Sequence, residues 1–208
     1  MIRLLLLLTL FLTALATKAD NNQMLTELDQ TIVKRSEFIK AKEDRIALLK
    51  QQARAERDSN MLLRLYTDIY TEYHVFKFDS AMYYAEKGYQ LALQQHNQNY
   101  INRFMLHRSE LLSISGLYSE ALDILNSIDS TTVEKDAMFY YYFHYFTHYS
   151  YKTSFANDSA YAPQYRAIAK QYLEKAIAKL SPDEPFYDYY MGEKFVYIDI
   201  DPVKAREH

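Results

Sequence analysis

The sequence predicts an all-α protein made of paired helices that stack into an α-α superhelix, preceded by a long N-terminal helix. Three observations predict it. Only 3 Gly and 4 Pro occur in 208 residues, too few turn formers for sheets or elaborate loops. Apolar residues recur at alternating three- and four-residue spacings, the period of one helix face. Small residues recur along several of those faces, where two helix backbones can approach closely.

The 49% hydrophobic content suits one modest domain with a continuous core. A formal net charge of -3 lacks the basic footprint of a nucleic-acid binder, so no nucleic acid is expected on this segment. The chain has no Cys, which excludes disulfides, thiolate metal sites, a cysteine nucleophile and a lipidated Cys anchor.

Residues 1–19 have the pattern of a secretory signal peptide. Met1, Ile2 and Arg3 make a short basic start, Leu4 to Leu15 is uncharged and apolar, and Ala14-Leu15-Ala16 is a small-x-small cleavage pattern. The run is shorter than the ~20 residues a bilayer span requires. Export to the periplasm is the expectation. Residues 20–59 follow as a long helix from about Asn22 to Arg57, expected to pack on the repeats. Leu25, Leu28, Ile32, Ile39, Ile46 and Leu49 form a narrow apolar seam, interrupted by Arg35 and Lys42. The seam offers a face for a homodimer, though both cations weaken a strict coiled coil.

Paired helices begin near Asn60, in units of about 60–97, 98–130, 134–181 and 184–208. Met61 to Tyr73 fits a first helix. Phe78 opens its partner, with Ala81, Ala85, Gly88 and Ala92 on one face. Gly inside a helix costs about 1 kcal/mol relative to Ala, so Gly88 calls for a packing reason. Tyr100 to Ser115 is the next helix. Gly116 suits a left-handed cap, and Ser119 is placed to cap the following helix. The stretch Ile168 to Ile177 is closed by Ser181-Pro182. Phe186 to Ile198 reads as another first helix, and Asp201-Pro202 opens a second that carries Ala205.

Gly116-Leu117-Tyr118-Ser119-Glu120-Ala121-Leu122 resembles the turn and second-helix start of a tetratricopeptide repeat (TPR). Ala81 to Gly88 and Ala169 to Ala176 resemble the second helix itself. Ala81, Ala121 and Ala169 align at spacings of 40 and 48, against a usual TPR period of about 34, so the repeats are irregular. Ile128 stands where Ala is usual. With the signal peptide and an opening helix, the pattern resembles exported TPR-containing regulators of Bacteroidota. The resemblance implies a transmembrane helix and a regulatory, often DNA-binding, segment downstream. The last unit is cut off in mid-hairpin, so the chain is expected to be part of a longer protein whose membrane attachment lies downstream.

Aromatics are the most unusual feature, with 21 Tyr and 11 Phe. Phe139 to Tyr151 is aromatic round the whole helix, which suits burial between layers or a tyrosine-lined groove. TPR first helices line the binding groove. The candidate groove residues are Tyr66, Tyr70, Tyr73, His74, Tyr141, Tyr145, His148, Tyr187 and Tyr190. His144 and His148 share a helix face, but no third ligand is evident and no metal site is expected. Asp79-Ser80-Ala81 and Asp158-Ser159-Ala160 read as helix caps, with O-glycosylation as a second reading. Asn157-Asp158-Ser159 also matches an N-glycosylation acceptor, meaningful in a eukaryotic source. No phosphate loop or nucleophile elbow occurs. The expectation is a non-enzymatic, cofactor-free sensing domain of a membrane-anchored regulator that recognises a peptide or protein partner. The alternative is an envelope glycan-binding or scaffold protein of a nutrient-uptake system.

Overall fold

A computed structural model describes residues 24–199. The expected signal peptide, the expected Asp201-Pro202 cap and the expected helix carrying Ala205 lie outside the described residues. The chain divides into two units, Met1–Leu48 and Leu49–His208. Among the described residues the fold is all-α, with no strand.

In the first unit, residues 24–33 are helical and a single turn residue, Lys34, separates them from α1, Arg35–Ala55. Lys34 N–H still donates to the Gln30 carbonyl at 3.1 Å, and the Lys34 carbonyl accepts from the Phe38 N–H at 3.2 Å, so helical hydrogen bonds run through this residue. Leu25, Leu28 and Ile32 of the apolar seam are exposed, while Ile46 is buried.

The second unit stacks helical hairpins. The first pairs α2 (Ser59–Tyr73) with α3 (Phe78–Gln94). The second pairs α4 (Gln98–Ile114) with α5 (Tyr118–Ser127). The third pairs α6 (Met138–Phe155) with α7 (Ala162–Ile177). A short α8 (Tyr187–Lys194) then packs on α7 and runs into a π-helical turn, Phe195–Asp199. Each helix packs on the next, and α4 also packs directly on α6, so the first helices of successive hairpins touch.

Local chemistry starts and stops these helices. Asp58 caps α2 by accepting from the Met61 N–H (2.8 Å), and Asn97 caps α4 by accepting from the Tyr100 N–H (3.3 Å). After α4, Gly116 takes φ +83°, and Leu117 N–H donates to the Leu112 carbonyl at 2.9 Å. Gly116 N–H donates to the Ser113 carbonyl at 3.2 Å, which completes a Schellman closure. The same closure ends α3 without a glycine: His96 has φ 51°, and Asn97 N–H donates to the Ala92 carbonyl at 3.0 Å. Ser119 is not a cap, because α5 already begins at Tyr118. Asp79 lies in the first turn of α3, where its charge favours the helix dipole without a side-chain cap bond. Ser159 accepts from the Tyr161 N–H ahead of α7, whose first turn holds Pro163.

The small residues lie where the helices meet. Ala81, Ala85, Ala92, Ala121, Ala169 and Ala176 have no exposed surface. A Cβ on Gly88 would come within 2.1 Å of the Phe104 ring of α4. That contact is the packing reason for a mid-helix glycine.

The aromatic helix α6 divides its rings among three directions. Phe139, Phe143 and Phe146 join Ala169, Leu173, Ala176 and Tyr190 in one core. Tyr141 and Tyr145 join Leu106, Leu125 and Ile128 in another. Tyr140 and His144 line a cavity next to α4. Burial on two sides is why the sequence could be aromatic round the helix.

Candidate functional site

The cavity of about 200 Å³ lies against the first helices of all three hairpins. Thr67 comes from α2, Asn102, Arg103 and His107 from α4, and Tyr140 and His144 from α6. Helical spacing sets these neighbours: Arg103 and His107 are one turn apart, as are Tyr140 and His144.

Beside it is a polar cluster. Tyr70 donates its hydroxyl hydrogen to Glu110 Oε2 at 2.8 Å, within 3.2 Å of the His107 carbonyl. The Tyr70 ring stacks on the His107 imidazole at 4.0 Å between centroids. His144 Nε2 is 3.7 Å from Glu110 Oε2, beyond ordinary hydrogen-bond length. His144 Nδ1 lies 2.7 Å from the Tyr140 carbonyl. A carbonyl only accepts, so Nδ1 carries the proton there. His107 keeps part of its ring edge exposed, yet both of its nitrogens are enclosed without a hydrogen-bond partner.

The electrostatics follow this enclosure. Burial pushes the His107 imidazole down to about 3, against which the nearby Glu110 charge acts only in part. Burial alone would raise the Glu110 carboxyl, but the neighbouring His144 and His107 imidazoles and the Tyr70 hydroxyl that donates to it outweigh burial and hold it at about 2. Burial and then the Glu110 charge push the Tyr70 phenol upward, so it stays a donor. Neutral pH thus finds Glu110 as a carboxylate and His107 as a neutral ring.

The residues anticipated for a groove occupy several seams. Tyr66 and Tyr73 are buried against Tyr84 of α3. Tyr141 and Tyr145 lie in the core with Leu106, and the Tyr145 hydroxyl donates to Asn126 at 3.2 Å. His148 is fully buried, its Nδ1 2.9 Å from Ser113 Oγ. Tyr190 packs on Phe139 and Phe143, and Tyr187 is half-buried on α8. Tyr70 and His74, whose rings stack at 5.7 Å, are the pair nearest the polar cluster. Rings need burial more than their hydroxyls need solvent, and the helix interfaces satisfy both.

His107 and Glu110 escape a reading made along the sequence because their partner comes from another helix. A signal was present. Tyr70, His107 and His144 are spaced by 37 residues, then 37 again, the register of equivalent first-helix positions.

Stacked helical hairpins with first helices in mutual contact define a TPR-type domain. The family model of the SusR N-terminal TPR domain matches residues 32–204. The chain belongs to that family, and SusR is a regulator of Bacteroidota. No curated protein and no solved structure matches the chain.

Proposed function

We propose that this chain is the non-catalytic sensing domain of a membrane-anchored transcriptional regulator, acts in the periplasm, and recognises a peptide or protein partner on the cavity face. The carrying observation is convergence: α4 and α6 place a guanidinium, two imidazoles, a phenol and side-chain amides around one cavity that Thr67 of α2 also lines. TPR domains in general mediate protein-protein interaction, which supports a peptide or protein over a small metabolite. Arg103, exposed at the rim, is suited to a carboxylate or backbone carbonyl of the partner. Anchoring would take about 20 consecutive apolar residues, and among the described residues no helix is long and apolar enough to cross a membrane.

The test is capture from a periplasmic extract by the wild-type chain and by Arg103→Ala and Tyr140→Ala. One protein retained by the wild type and lost from both variants supports the reading. Equal capture by all three moves recognition away from this cavity. The side-chain amides and the Tyr140 ring also suit a sugar ring, which supports glycan binding as a second reading. Calorimetric titration with oligosaccharides separates the two, since a glycan site gives heat with sugar alone.

A further inference from the structure

We propose that His107, Glu110 and His144 form a site for a divalent metal ion of the zinc type, with two imidazole nitrogens and one carboxylate oxygen as ligands. One donor atom from each of the three lies within 4.8 Å of the others. Ligands about 2.1 Å from a tetrahedral ion are about 3.4 Å apart. The His144 Nε2 to Glu110 Oε2 separation of 3.7 Å is close to that value. A separation of 4.8 Å needs to shrink by about 1.4 Å, within reach of the Glu110 and His107 rotamers.

Tautomer logic points the same way. The Tyr140 carbonyl takes the Nδ1 proton of His144, so in the neutral ring Nε2 carries a lone pair. That lone pair faces a carboxylate. Two acceptors confront each other unless a proton or a cation lies between them. The enclosed nitrogens of His107 supply a second, independent observation, because enclosed ring nitrogens without a hydrogen bond are costly. One cation answers both.

The surroundings fit a metal centre. The Tyr70 hydroxyl holds the Glu110 carboxylate at 2.8 Å, and the Tyr140 carbonyl fixes the His144 ring. Ligating carboxylates and imidazoles are typically held by such outer contacts. His107 and Glu110 are three apart on α4, while His144 comes from α6, so an ion joins two hairpins. Both imidazoles border the cavity, which leaves room for a water as fourth ligand. The inference is independent of what partner the cavity takes.

The test uses the purified chain after chelator treatment. Zn²⁺ is titrated against a chromophoric competitor, and Co²⁺ is added separately to read coordination from its visible spectrum. The expected result is one ion per chain and a Co²⁺ spectrum of tetrahedral type. The isosteric Glu110→Gln and the His144→Gln substitutions should each lower affinity about 100-fold or more. Tyr70→Phe, which removes one oxygen, should lower it about 10-fold and keep the stoichiometry. Circular dichroism confirms that each variant is folded, and Tyr70→Phe serves if the others are not. No binding in the wild type, or the same affinity in all folded variants, overturns the site. In that case a proton on His144 Nε2 occupies the space between ring and carboxylate.

Discussion

Helices α4 and α6 are bridged twice by a histidine, and the two bridges behave differently. At one rung His148 meets Ser113; one turn away His144 meets Glu110. Both use the same pair of helices and nearly the same spacing. His148 has no exposed surface, and its ring packs on the edges of Tyr118 and Tyr149. His144 and Glu110 keep side-chain exposures of 13% and 26%, and His144 borders the cavity. A neutral hydroxyl partner and an aromatic enclosure make a packing element. A carboxylate, a second imidazole and an adjacent cavity make a place where a ligand can bind.

The comparison can be broken by mutation. His148→Ala should destabilise the fold by about 2–4 kcal/mol, since it leaves a cavity and strands the Ser113 hydroxyl. His144→Ala, in metal-free protein, should cost about 1 kcal/mol or less, because a partly exposed pair contributes little. Urea denaturation measures both, and equal losses would erase the distinction. Replacing Tyr141, Tyr145 and His148 together should abolish cooperative unfolding before any binding effect can be read.

Gly88→Leu sharpens the same contrast from behind. The new side chain overlaps the Phe104 ring, which meets His107 edge-on at 5.9 Å. The expected loss is about 1–3 kcal/mol, read as a lower melting temperature. An unchanged melting temperature would contradict the close approach of α3 and α4.

Acid tests the buried rung directly. Burial, and then the Lys152 charge, lower the His148 imidazole from 6.5 to about 4. Its folded pKa lies below the unfolded one, so between those values the unfolded chain binds the extra proton. His107, held at about 3, acts with the same sign, so stability should fall as pH drops from about 6.5 toward 4, with uptake of up to about two protons on unfolding. His148→Gln should remove about half of that dependence and leave the His107 part, measured as urea midpoints across the pH range. The smallest effect is a gain: His96→Gly relieves a left-handed residue at the α3 terminus and should add about 0.5–1 kcal/mol.

That last residue shows where the sequence was legible. The Gly116 closure was readable because glycine marks a left-handed position. His96 closes α3 with the same hydrogen bonds but carries no such mark. The alanine faces and Gly88 were readable because small residues at helical spacing have one main use. The aromatic run fitted two geometries, and only the neighbours of α6 decide which ring faces a core. The His107, Glu110 and His144 cluster was harder, since it joins residues from different hairpins. The first-helix spacing of 37 residues held its signal, but the second helices, at 40 and 48, drew attention to irregular turns instead.

Helix α6 has no idle side. A ligand that tugs on positions 140 and 144 cannot turn this rod without dragging Phe139 and Phe143 through one core and Tyr141 and Tyr145 through another. Close-packed interiors resist such partial motion and tend to switch between discrete arrangements. A small event at the mouth of the cavity would thus be transmitted to α7 and α8.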